Sequence, residues 1–235
     1  MTDYSNNTYE ASIASNFIRS VYSYMFIAMA ISGVIAYAVG TNKLLFDQLF
    51  MTSDGGTSIL FYVMLFAPLV ISMVIQWGFK RLSMPILLAL FVAYSASMGS
   101  TLSVIFLAYS TQAITFTFFV TAGAFAGMAI LGYTTKTDLT KFGSLLYMVL
   151  IGMILASVLN MFIGSGMMDW VITIIGVFVF TGLIAYQMQQ LKNVANSPEF
   201  SPETRNKLAL IGGMQLYILF VNLFLTLLRL LGNRD

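Results

Sequence analysis

Apolar side chains run along this chain in seven long blocks with little polar interruption, and short polar connectors separate them. The blocks cover residues 19–40, 57–79, 84–109, 113–133, 143–164, 169–191 and 207–231. Each is close to the ~20 residues that a helix rising about 1.5 Å per residue needs to cross the hydrocarbon layer. A backbone in hydrocarbon must satisfy its own hydrogen bonds, and these runs are too continuous for the alternating strands of a barrel. The pattern therefore predicts an all-α, polytopic membrane protein, a seven-transmembrane-helix bundle with tails at 1–18 and 233–235.

The connectors carry turn chemistry. Ser53-Asp54-Gly55-Gly56 closes the first loop, and Lys80-Arg81-Leu82-Ser83 precedes Pro85 at the start of the third block. The sequence TTKTDLTK, residues 134–141, joins the fourth and fifth blocks. In NVANSPEFSPETRNK, Ser201-Pro202-Glu203 reads as a helix start. No internal repeat stands out, and no part is long enough for a separate soluble domain.

Positive charge sets the expected orientation. Of the 11 Lys and Arg residues, Arg19, Lys80, Arg81, Lys136, Lys141, Lys192, Arg205 and Lys207 fall on the side of the N-terminus. Lys43, Arg229 and Arg234 fall opposite, so the N-terminus is expected in the cytoplasm. Because Arg229 and Arg234 would then end outside, the last block has two readings, a full crossing or a re-entrant segment.

Composition narrows the chemistry. The chain has 235 residues, 59% hydrophobic and 9% charged, against about 25% charged in ordinary globular domains. It contains neither cysteine nor histidine, which excludes disulfides, thiol catalysis and the side chain that titrates nearest physiological pH. A formal charge of +2 gives no reason to expect a nucleic-acid partner. The N-terminus, MTDYSNNTYEASIASNF, is polar for long and bears acids, so no cleavable leader is expected and the first block reads as a retained span. All nine acids, Asp3, Glu10, Asp47, Asp54, Asp138, Asp169, Glu199, Glu203 and Asp235, fall in tails or connectors. Intramembrane carboxylates usually carry proton relays and cation sites, and none is expected here.

The polar groups left within or beside the blocks are the candidates. Arg81 is either a membrane-surface anchor or an interior cation that closes a pathway, with Gln76 as a possible partner. Ser97 and Thr101 share a helix face, with Ser100 and Ser103 nearby. They either bond to backbone, at about 0.6 kcal/mol each in membranes, or line a hydrated path. Gly123 and Gly127, at small-xxx-small spacing, predict close packing inside the bundle in preference to a dimer face. Gln187, after Tyr186, is expected to face the bundle interior, because an unpaired buried amide costs about 1–3 kcal/mol. Gln215, Tyr217 and Asn222 are the polar members of the last block.

Four stretches in this order make the chain resemble the Bax inhibitor-1 family, the transmembrane Bax inhibitor motif proteins. They are Gly132-Tyr133 with TKTDL at 135–139, FTGLIAY at 180–186, LYILFVNLF at 216–224 and LLRLLG at 227–232. The resemblance covers residues 20–232. It implies a seven-helix bundle with the last helix central and a calcium-permeable leak that responds to pH. It also implies two aspartates in the sixth and seventh helices, latched by an arginine at the end of the second. Here the first aspartate position is Gln187, the second is Leu219, and the arginine position is Arg81.

Two adjacent carboxylates raise one another's pKa and can titrate near neutrality. Glutamine and leucine cannot. The expected function is thus a channel-class cation leak, for calcium or another cation, without this pH gate. The alternative is a non-conducting membrane stress regulator that acts on a protein partner such as a membrane protease, through loops around Asp138 and 193–206. An enzyme has no supporting motif, and a coupled transporter lacks the membrane carboxylate it would need. No cofactor or bound metal is expected. The bilayer itself is the expected environment, in a bacterial inner membrane.

Overall fold

The computed structural model describes the backbone of residues 2–232 except Ser53, and side chains from Ser12 onward. Arg234, Asp235 and the side chains of Asp3 and Glu10 lie outside the described residues, as does the tail at 233–235. Nine helices are present among them: α1 Thr2–Gly40, α2 Lys43–Phe50, α3 Ile59–Gly78, α4 Met84–Leu102, α5 Ile105–Ala108, α6 Thr111–Thr134, α7 Thr140–Ile163, α8 Gly166–Asn196 and α9 Pro202–Leu231. Seven helical spans are long and apolar enough to cross a membrane, with α4 and α5 together forming the third. The expected all-α, seven-span architecture is observed. Two local features were not legible in the hydropathy. Helix α1 starts at Thr2, well before residue 19, and the first connector contains α2.

The spans differ sharply in how much they bury. In α7 only 6% of the most apolar window is buried, whereas in α9 the share is 72%. The outward side chains of α7, such as Ile151, Leu155, Leu159 and Phe162, are large and apolar, which suits contact with lipid tails. Helix α9 is the most buried span, in keeping with the expected central last helix.

The chain forms two compact units, one of residues 1–18, 111–198 and 215–234, the other of 19–110 and 199–214. In the second unit α1 and α4 lie side by side and parallel, in a register that advances by about eight residues on each. Tyr24 meets Phe91 edge to face with centroids 5.8 Å apart. One step on, a Cβ on Gly99 would come 2.6 Å from the Ser32 carbonyl oxygen. Eight residues further on α1, a Cβ on Gly40 would come 2.6 Å from the Phe106 ring of α5 and 2.7 Å from the Ser103 carbonyl oxygen, just past the end of α4. Gly213 in the first half of α9 lies equally close to the Val21 carbonyl, at 2.6 Å from the same construction. These contacts bring helix backbones together where no side chain intervenes, which suits packing in a membrane.

Pro68 interrupts α3. Proline has no N–H, so the carbonyl four residues earlier, that of Met64, loses its helical donor. Thr101 supplies one from α4: its hydroxyl donates to Met64 O at 2.9 Å and also lies 3.1 Å from Ser97 O. Ser95, Ser97, Ser100 and Ser103 donate to carbonyls of their own helix. Helix α2 is capped by Asn42 and buries Phe46 and Phe50 against Val39, Phe61, Met64 and Val104.

In the first unit α8 is the common neighbour of α6, α7 and the second half of α9. A Cβ on Gly132 of α6 would collide with the Ala185 carbonyl group, and one on Gly143 of α7 with the Tyr186 ring. Leu146 fills the notch at Gly182, and Met153 and Thr226 flank Gly176. Helix α7 ends at Gly164, whose φ of 69° is left-handed and favours glycine. Asn160 then brackets Ser165, donating to its carbonyl at 3.1 Å and accepting from its N–H at 3.0 Å. Ser165 in turn caps α8 by accepting from Met168 N–H at 3.3 Å.

One packing expectation is overturned. Gly123 and Gly127 are exposed, and nothing lies within 4 Å of a Cβ built on either. The close helix approach on α6 is made one to two turns later, at Gly132, because that is the residue facing the α8 backbone. Gly132→Ala is therefore expected to destabilise by about 1–3 kcal/mol through overpacking, while Gly127→Ala stays within about 0.5 kcal/mol of the parent. Thermal unfolding in detergent measures both, and equal shifts would refute this assignment.

Candidate functional site

Helix α8 carries polar side chains at 187 and 189, two residues apart on a helix and thus directed to different sides. Each finds a protein partner, and the two partners differ.

Gln187 is 8% exposed. Its Nε2 donates to Oε1 of Gln215 on α9 at 2.6 Å. The bond uses one donor and one acceptor of an amide pair that holds more of both. Swapping both assigned amides would leave the same inventory. The pair lies in the apolar part of both helices and carries no charge.

Of the other sequence candidates, Leu219 is buried one turn beyond Gln215. The side chain that meets Gln187 is therefore Gln215, four residues before the position the resemblance pointed to. Tyr217 is fully buried. Asn222 donates to Ile218 O of its own helix at 2.8 Å, so its amide is turned to the α9 backbone rather than to Gln187. Tyr186 covers Gly143 and meets Tyr147 edge to face at 6.2 Å.

Arg81 belongs to the other unit. It is exposed in the turn after α3, where its N–H donates to Gly78 O at 2.8 Å, and Gln76 is also exposed. Ser97 and Thr101 are in that unit too, with hydroxyls spent on backbone carbonyls as described above.

Gln189 was not singled out from the sequence. It is 7% exposed, and its side-chain amide clamps the connector between α6 and α7. Nε2 donates to Thr137 O at 2.8 Å, and Oε1 accepts from Leu139 N–H at 2.8 Å. Two amides so close in an apolar run were a usable signal, since both cannot face one neighbour and neither suits lipid. Between the two bonded residues, Asp138 is exposed, and its Oδ1 accepts from Thr140 N–H at 2.9 Å at the start of α7. That hydrogen bonding to Thr140 is the main cause that holds the Asp138 carboxyl below its ordinary value. Beside it, the Lys192 ammonium lies 5.5 Å from the centroid of the Tyr133 ring.

At the far end of α8, Asp169 lies in the first turn and Arg229 in the last turn of α9, with Oδ1 and Nη1 4.0 Å apart. Both are about half exposed, so the pair contributes little energy. It does show direction. The second half of α9 runs antiparallel to α8, from Gln187 back to the start of that helix. Its 30 unbroken residues span about 45 Å, more than a bilayer core of ~30 Å. A helix of this length and continuity is sufficient for a full crossing.

Seven apolar spans and a mostly buried last helix define a polytopic α-helical integral membrane protein. Residues 14–235 match the family described as "Inhibitor of apoptosis-promoting Bax1". The chain is 38% identical over 221 residues to "Inner membrane protein YbhL" of Escherichia coli, covering 93% of this chain and 92% of that one. It is 40% identical over 234 residues to an uncharacterized protein of Borreliella burgdorferi, covering 100% and 99%. With "Uncharacterized protein RP147" of Rickettsia prowazekii it shares 34% identity over 229 residues, covering 97% and 94%. The chain belongs to the Bax inhibitor-1 family.

Two of the stretches that carried the resemblance meet where Gly132 lies on Ala185. TKTDL is held by Gln189, just beyond FTGLIAY, and Phe220 of LYILFVNLF packs against Phe118 and Phe125 of α6 at 5.5 and 5.7 Å. Asp138 gives this region a pH dependence of known sign. A carboxyl held below its unfolded value stabilises the turn above that value, and the effect is lost as pH falls through the folded one. Asp138→Ala is expected to speed amide exchange at Thr140 at neutral pH, with the difference from the parent vanishing in acid. Equal exchange at neutral pH would contradict the assignment.

Proposed function

We propose that the protein is an inner-membrane, leak-type cation conductor, for calcium or another cation, whose conductance protons do not gate. The supporting observation is the Gln187–Gln215 amide pair at 2.6 Å, in the region where the resemblance implies paired carboxylates. Amides do not titrate between pH 5 and 8, so protonation cannot switch this contact as it switches an acidic dyad. Among the described residues no three acidic side chains come together, so any cation would meet amide and backbone oxygens, weaker partners for a hard divalent ion than carboxylates. Passage in this reading is passive, involves no catalytic step, and is weakly selective. The inner-membrane setting is taken from the name of the Escherichia coli relative.

Proteoliposome flux of calcium and of a monovalent cation tests the proposal. The parent is expected to conduct at a rate that changes less than about twofold between pH 5 and 8, having no titrating group there. Gln187→Glu with Gln215→Glu keeps side-chain shape and installs two carboxyls at hydrogen-bonding distance. That variant is expected to conduct with a steep pH dependence in the same window. Folded parent protein that passes no ion at any of these pH values would defeat the conductor reading and leave the partner-binding regulator.

A further inference from the structure

The Gln189 clamp has a chemical form that ordinary packing does not require. Thr137 O and Leu139 N–H flank Asp138 on one edge of the connector, and a single amide meets both at 2.8 Å. The N–H and C=O of one residue in a neighbouring parallel strand would meet the same two atoms. Among the described residues, Gln189 makes the side-chain hydrogen bonds that tie the connector backbone to another helix. Its other hydrogen bonds are local: Thr135 N–H to Leu131 O at 2.9 Å, Thr137 N–H to Thr135 Oγ1 at 3.2 Å, Thr140 N–H to Asp138 Oδ1 at 2.9 Å, and Gly143 N–H to Leu139 O at 2.7 Å. Lys136, Thr137, Asp138 and Thr140 are exposed.

On either side of the connector, the helices it joins sit directly on α8. Gly132, three residues before it, meets the Ala185 backbone, and Gly143, four residues after it, meets the Tyr186 ring. These contacts and Gln189 all fall within 185–189, on both sides of Gln187. Lifting the connector removes the clamp at the point where α6 and α7 close over this part of α8.

We propose that the 135–139 connector is a strap latched by Gln189, and that its seating controls how tightly α6 and α7 hold α8 around the Gln187–Gln215 pair. The strap is a regulatory device. A factor that binds the connector backbone competes with the Gln189 amide and loosens the segment that carries the amide pair. This coupling stands whether or not the protein conducts ions.

The chain has no cysteine, so one introduced by Leu139→Cys, at a half-buried position of the connector whose backbone N–H is kept, reports how the connector is seated. Full-length protein in lipid nanodiscs is labelled with a maleimide, and amide exchange is followed over 182–191. Gln189→Leu is expected to raise both the labelling rate and that exchange about tenfold, the population change expected from losing roughly one net hydrogen bond. Gln189→Glu separates the latch from bulk packing. A protonated carboxyl can both donate to Thr137 O and accept from Leu139 N–H, whereas a carboxylate can only accept.

The labelling ratio of the Gln189→Glu protein to the Gln189 protein should therefore approach one in acid and rise towards about tenfold in alkali, with the latch stabilising only below the raised folded pKa. The charged groups around the latch on these segments are Lys136, Asp138, Lys141 and Lys192, present in both proteins. A ratio that is flat with pH would overturn the latch. Faster labelling at 139 with unchanged exchange over 182–191 would overturn the coupling. If Gln189→Leu fails to fold, the Gln189→Glu titration and its exchange profile decide both points.

Discussion

A side-chain amide buried in a membrane-spanning helix must find its partner inside the protein, because lipid offers none. That requirement orients α8. Gln187 turns towards α9 and Gln189 towards the α6–α7 connector, so the helix is committed on two sides by two neutral groups. Each bond contributes modestly, since a net hydrogen bond is worth about 0.5–1.5 kcal/mol. Their directional effect is larger, because rotating α8 would leave both amides unsatisfied together.

The same demand recurs at the backbone. Pro68 leaves the Met64 carbonyl without its helical donor, and Thr101 provides one from the adjacent helix. Two residues that look unrelated in sequence are thus one hydrogen-bonded unit. Elsewhere helices approach through glycine, at Gly99 on Ser32 and Gly213 on Val21 in one unit and at Gly132 on Ala185 in the other. With lipid as apolar as the side chains, close van der Waals contact and satisfied polar groups hold such a bundle, more than burial of oil from water.

The amide pair keeps the geometry of a buried polar contact while removing the charge. Two carboxylates at that distance would repel, share a proton and respond to pH; two amides hold each other over the whole physiological range. Asp138, whose lowered pKa comes from its hydrogen bonds to Thr140, lies instead at the exposed end of the connector. Ionisable chemistry in this region is therefore placed at the surface, on the connector itself, and neutral hydrogen bonding is placed between helices α8 and α9.

The seven spans were legible because hydrocarbon thickness sets both the length and the polarity of anything that crosses it. The absence of acids from the middle of each apolar block followed from where the nine acids fall, with Asp169 at the very start of α8, and the inward placement of Gln187 from the cost of burying an unpaired amide. Partner choice was not legible. Spacing alone favoured Gly123 and Gly127 for helix packing, yet the rotation of α6 turns them outward and brings Gly132 to α8. Position 219 was the anticipated counterpart of Gln187, yet the stagger of α9 against α8 brings Gln215 there. Gln189 was passed over because its partners are backbone atoms about 50 residues away. Linear sequence sets which groups must be satisfied and how long each helix must be. The rotation and stagger of helices, which arise only when all of them pack at once, decide which atoms do the satisfying.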